Sequence, residues 1–239
     1  MEIIIILLFL AFAFLDAIAQ IPKYVGGSMS LGGVGFTVSN IIHTVKRLFV
    51  VSYPPVVALY LLSEELDSLF YIIYICYFGA ALLAWTVFLS RRFFQRILAR
   101  QIHAFGSGGS LWKAWTWDEA PEYDAPDAED AGKKGINPAL FSSALWIYFF
   151  FGSVFFLVNI LGHYFEDYAS VILQLSGVFN AMGTLVLAFY LDPILARVFE
   201  RERGKAVIAL RSVLLAQIAN FAVMSPVFFY LLSIALFSR

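Results

Sequence analysis

The chain has 239 residues, 61% hydrophobic and 14% charged, with a mean hydropathy of +0.82. Soluble domains carry roughly 45–50% apolar and about 25% charged residues, so a water-soluble globule is excluded. The formal net charge of −1 says nothing about partners, and no nucleic-acid partner is expected.

Several apolar runs reach about 20 residues, enough for a helix to cross a hydrocarbon core. They lack the alternation of apolar and polar residues found in membrane-barrel strands. The expected fold is all-α: a single polytopic transmembrane domain over residues 1–239 with about six membrane helices. The lone cysteine, Cys76, sits in an apolar run. It can form no internal disulfide and reads as a small buried hydrophobe.

Met1 to Gln20 is the first hydrophobic segment. Ala17-Ile18-Ala19 resembles a signal-peptidase site, but the start holds Glu2 and no Lys or Arg, and Asp16 interrupts the run. A secretory signal begins with basic residues, so a retained membrane helix is expected. Ile21 to Leu31, with Pro22, Lys23 and a Gly/Ser cluster, reads as a turn. Gly32 to Leu62 follows, longer than one span needs. It holds His43, Lys46 and Arg47 near its middle and Pro54-Pro55 just after. At about 1.5 Å per residue the two cations lie about 20 Å along a helix, too deep for a topology signal.

Glu64, Glu65 and Asp67 make a short acidic loop before a third span, Leu69 to Leu89. Arg91, Arg92, Arg96, Arg100 and His103 alternate with apolar residues at helical spacing, which reads as a basic amphipathic extension at the membrane surface. Residues 106–135 form the one soluble-looking stretch, a polar acidic loop with Trp112, Trp115 and Trp117 at its start. Its acids fit no EF-hand spacing, so no metal site is expected. Phe141 to Leu161 is a fourth span, with His163, Glu166 and Asp167 in a short loop after it. Val171 to Leu191 is a fifth, running into Asp192-Pro193 and a basic end with Arg197, Arg201, Arg203 and Lys205. Leu210 to Phe237 contains the sixth.

Loops one, three and five hold Lys and Arg, whereas loops two and four hold only acids. The positive-inside rule therefore predicts both termini outside and the 106–135 loop in the cytoplasm.

There is no Ser-His-Asp grouping, zinc-type His/Glu motif or phosphate loop, so no catalytic role and no cofactor are expected. Charges at bilayer depth are expensive and are tied to function or paired. Arg offers a planar fork of donors suited to phosphate, and Lys a compact charge beside it. Lys46 and Arg47, with His43 and Asn40 on the same segment, are thus candidates for an intramembrane anion site. Asp16, Asp192 and Arg211 are candidate charge partners. The competing explanation is an ion pair that orders the helices.

Two motifs carry a family resemblance. One is Ser39-Asn40-Ile41-Ile42 followed by Lys46-Arg47 and Pro54-Pro55. The other is Gly183-Thr184-Leu185-Val186-Leu187 leading into Asp192-Pro193 and a basic end. Their order, with the length and helix number, resembles the Amj family of bacterial lipid II flippases. That resemblance implies a multi-pass protein of the bacterial cytoplasmic membrane acting in peptidoglycan synthesis and cell-shape maintenance. The implied cargo is an undecaprenyl-pyrophosphate-linked precursor moved from the inner to the outer leaflet. Lys46 and Arg47 would bind the pyrophosphate, and Pro54-Pro55 would be a hinge. A small-anion transporter or channel, an enzyme on lipid phosphates using His43 or Asp192, and a non-catalytic assembly subunit remain alternatives. A homo-oligomer is left open.

Overall fold

The computed structural model describes residues 1–63, 66–109 and 135–238. Among these residues the regular elements are all helical: α1 Glu2–Ile18, α2 Ile21–Ser28, α3 Gly32–Leu61, α4 Leu66–Leu89, α5 Arg91–Gly106, α6 Pro138–Tyr164, α7 Ala169–Val186, α8 Asp192–Arg201, α9 Arg203–Ala219 and α10 Ser225–Phe237. Five helical stretches are long and apolar enough to cross a membrane, and bent α6 makes a sixth. The protein is a multi-pass α-helical membrane protein. Large apolar side chains such as Leu7, Phe78, Leu82 and Phe189 face outward, which suits lipid rather than water. Glu64, Glu65, the three loop tryptophans and the acids at 118–130 lie outside the described residues.

Residues 21–31 are not the turn expected from their Pro, Gly and Ser content. Pro22 sits in the first turn of α2, where its missing N–H costs nothing, so helix continues from α1 with only a short break. The chain reverses at Met29–Leu31 instead. There Ser30 takes the left-handed conformation (φ 60°), and the Leu31 N–H donates to the Gly26 carbonyl at 2.7 Å. This is a Schellman closure. A Cβ on Gly26 would come within 2.7 Å of the Gly35 Cα, so α2 and α3 cross glycine on glycine. Residues 21–27 are consequently buried throughout, and Lys23 is interior rather than a loop charge.

Pro54 and Pro55 do not break the helix; α3 runs through both. Membrane helices tolerate proline where other groups satisfy the freed carbonyls. The irregularities lie elsewhere. Leu187–Leu191 and Asn220–Met224 are π-turns, each two residues before a proline, Pro193 and Pro226. A proline ring clashes with the carbonyl four residues back and offers it no N–H, and a local widening of the helix relieves both defects. The third irregularity is a 44° bend in α6 between Val154 and Phe156. It adjoins the Gly152-Ser153 pair, where the Tyr77 hydroxyl donates to the Gly152 carbonyl at 3.0 Å, and a side chain inserted in the backbone ladder is a known cause of kinks.

The interior is aromatic. Phe9 of α1 meets Tyr53, Tyr77 and Phe156 with ring centroids 5.9, 5.3 and 5.4 Å away, knitting α1, α3, α4 and α6 together. Helix α5 buries Leu98, Ala99 and Ile102 and packs on α2. Its apolar side therefore meets protein rather than the membrane surface. Since α8 also packs on α2, the arginines of α5 and α8 share one end of the bundle.

Candidate functional site: a charged cavity between two membrane helices

Helix α3 carries two stripes with different jobs. Ser39, Lys46, Tyr53 and Tyr60 recur every seven residues and are all buried. Seven residues are close to two helical turns, so these side chains stack on one inward edge. The second stripe, Asn40, His43, Thr44, Arg47, Val50 and Val51, follows the three-and-four spacing of a helix face and lines a cavity.

On the inward edge Lys46 points at α1. There Asp16 prolongs the buried stripe of Ile5, Phe9 and Phe12. The Lys46 Nζ is 2.5 Å from Asp16 Oδ1, and the Gln217 amide of α9 donates to Asp16 Oδ2 at 3.2 Å. The Phe12 and Phe151 rings cover the ammonium, with centroids 5.3 and 4.7 Å away. Both carboxylate oxygens and the cation thus have partners without water. A second pair lies near it. Lys23 Nζ is 2.6 Å from Asp192 Oδ1; the Lys23 side chain is wholly buried and that of Asp192 is 19% exposed. The Pro193 π-turn sets Asp192 at the start of α8, and the glycine-crossed hairpin brings Lys23 beside it.

The cavity has a volume of about 870 Å³, within the usual range for ligand sites of roughly 300–1,000 Å³. One wall is the second stripe of α3. The opposite wall is α7 and its π-turn, which offer Gly177, Ala181, Thr184 and Ala188. Small residues recurring at helical spacing leave the space that forms the cavity. Helix α7 packs mainly on α6 and makes no extensive contact with α3, so the gap is open sideways. Arg47 is exposed on its wall, and no carboxylate pairs with it among the described residues. The His43 Nε2 is buried and without a hydrogen-bond partner there.

Of the residues singled out in the sequence, Asn40, His43, Lys46, Arg47 and Asp192 do border one cavity. Asp16 lies behind it as the partner of Lys46. Arg211 is half-buried in α9 and does not line it. Pro54 and Pro55 lie further along α3, outside the lining. Gly32, Gly33 and Gly35 do not line it either. Gly35 faces α2, and Gly32 adjoins the Glu200 side chain. Sequence reasoning missed Lys23 and Gln217 as interior partners and α7 as the opposite wall. The spacing of Gly177, Ala181, Thr184 and Ala188 was the available signal for α7. Among the described residues no cluster of three His, Cys, Asp or Glu side chains could hold a metal ion. At the edge of the bundle, the exposed Glu202 accepts a 2.7 Å hydrogen bond from Lys205, which holds its carboxyl below the usual range; the cavity is unaffected.

In comparisons with known proteins, no family model, no curated protein and no solved structure matches the chain.

Proposed function

We propose that this protein carries the pyrophosphate group of a polyprenyl-linked peptidoglycan precursor, lipid II, across the bacterial cytoplasmic membrane. The observation that carries the proposal is the cation left over in the cavity. Lys46 and Lys23 are committed to Asp16 and Asp192, while Arg47 faces the open gap with no carboxylate paired to it among the described residues. A guanidinium fork suits phosphate oxygens in bidentate fashion, and in a site poor in water the attraction gains strength. Asn40 and Thr44 add neutral polar groups on the same stripe. Lys46, a phosphate ligand by the sequence reading alone, contributes here as a neutralised neighbour.

The sideways opening favours a lipid over a small free anion. A head group can sit against Arg47 while its hydrocarbon tail stays in the bilayer, whereas an ion pathway needs walls all round. The moving part in this proposal is α7, which leans on one neighbour and ends in the π-turn before Pro193. Such turns occur often at functional sites. The arginine-rich end of the bundle, built from α5 and α8, is the cytoplasmic end, with both termini outside. That orientation rests on the charges of loops three and five, because Lys23 is buried.

In cells depleted of their own lipid II flippase, the wild-type chain restores growth. Arg47→Ala abolishes that rescue without loss of protein from the membrane. Normal rescue by Arg47→Ala would refute the assignment.

A further inference from the structure

Helix α5 has one face built inward and one left bare. Gln95, Leu98, Ala99 and Ile102 are buried, and the helix packs on α2. Arg92, Phe93, Arg96 and Arg100 are exposed. At about 100° per residue these four side chains fall within one arc of about 100°. The bare face is therefore a stripe of three guanidinium groups, each about a turn from the next, with an aromatic ring at its edge.

No acid balances the stripe. None occurs anywhere between residues 68 and 117, and none of the three arginines forms an ion pair among the described residues. The arginines of α8 differ, because Glu200 and Glu202 lie within a turn of Arg197 and Arg201 in the chain. The stripe also begins where a membrane span ends. Near the end of α4 the Trp85 and Phe88 rings stack with centroids 5.7 Å apart. The Arg91 guanidinium lies 5.2 Å from the Phe88 centroid and donates to the Phe88 carbonyl at 3.1 Å. Tryptophan at a span end marks the level of the lipid head groups, and Ser90 alone separates α4 from α5.

We propose that this face of α5 binds anionic phospholipid. The guanidinium forks take the phosphate oxygens in bidentate fashion. Phe93 at the edge of the stripe, with Leu89 and Trp85 just before it, offers apolar surface to the acyl chains. A soluble acidic segment would match the charge but would leave Phe93, 61% exposed, facing water; a lipid satisfies both halves of the patch. Bound lipid holds α5 at the membrane surface, and α5 is packed on α2, the helix that supplies Lys23. The inference does not depend on what the cavity carries.

The test uses the full-length protein, stripped of lipid in a non-ionic detergent. It is titrated separately with phosphatidylglycerol and with phosphatidylcholine, and native mass spectrometry counts the lipid bound. Each cationic side chain near an anionic head group is worth about fivefold in affinity, so three of them give a preference for phosphatidylglycerol of about a hundredfold. The triple variant Arg92→Gln, Arg96→Gln, Arg100→Gln loses that preference, while Arg197→Gln with Arg201→Gln keeps it. If the triple variant does not fold, the wild type at high ionic strength serves instead, where screening removes most of the preference. Equal affinity of the wild type for the two lipids would overturn the proposal. So would a preference that survives the triple variant or high salt. An equal loss in the α8 variant would also overturn it, by assigning the effect to the net charge of that end of the bundle.

Discussion

Lys46 is buried at membrane depth, and it is tolerable there because Asp16 pairs with it, Gln217 satisfies the second Asp16 oxygen and two aromatic rings cover it. Each buried ion costs several kcal/mol to desolvate, and attraction to a well-placed partner offsets that cost without adding much. The consequence is asymmetric. Asp16→Ala strands the ammonium and should destabilise the protein by about 3–5 kcal/mol, read as a lower melting point in detergent micelles. Asp16→Asn combined with Lys46→Met removes both charges and should recover most of that loss. An Asp16→Ala protein that melts like the wild type would contradict the buried pair. Arg47 lies on the open wall, so Arg47→Ala should shift stability by no more than about 0.5 kcal/mol while removing function. The anomaly of charges in an apolar run was legible in the sequence. Which charge was closed off and which was free was not, because adjacent residues on a helix diverge by about 100°, and only the neighbouring helices distinguish the two directions.

At the scale of single elements, glycine and proline act through their neighbours rather than through their own propensities. A Cβ on Gly35 would collide with the backbone of α2, whereas one on Gly33 would meet nothing. Gly35→Ala should therefore cost roughly 1–3 kcal/mol by overpacking. Gly33→Ala should be neutral, or should stabilise by up to about 1 kcal/mol through helix propensity. Thermal unfolding of the two variants side by side checks this, and equal effects would exclude the close crossing of α2 and α3. The prolines divide in the same way. Helix α3 passes through Pro54 and Pro55 unbroken, so Pro54→Ala should leave lipid II rescue intact. Pro193→Ala removes the cause of the π-turn at the base of α7 and should weaken rescue at unchanged protein level. The opposite ranking would return the hinge to α3. The sequence contained all four prolines of this comparison, at positions 54, 55, 193 and 226. Nothing local marked which of them the helix would absorb straight and which would force a wider turn.

At the scale of the whole molecule, the bundle has a closed side and an open one. Helices α1, α2, α4 and α9 pack around aromatic rings and paired charges, while α7 stands off from α3 with the cavity between them. If the gap must change width during transport, tying its walls together stops the cycle. Val51→Cys and Leu185→Cys lie on opposite walls, and the one native cysteine, Cys76, is buried and gives little background labelling. A reducible bifunctional cross-linker between the two new thiols should block lipid II flipping in proteoliposomes, and reduction should restore it. Undiminished flipping in the cross-linked protein would rule out movement of α7 against α3.

The sequence by itself determined the fold class, the approximate spans and the presence of charge at membrane depth. Helix length and hydropathy are properties of consecutive residues, and no distant contact is needed to read them. Only the tertiary structure decided that Lys23 is interior, that Lys46 is paired with Asp16, and that Arg47 faces a cavity whose far wall is α7. Those outcomes depend on separate helices meeting in one place, from Asp16 and Lys46, 30 residues apart, to Lys23 and Asp192, 169 apart. In a bilayer every helix is apolar, so hydrophobicity alone does not select the neighbours. Close glycine crossings, small-residue stripes and buried charge pairs do, and each becomes visible only when both partners are in view.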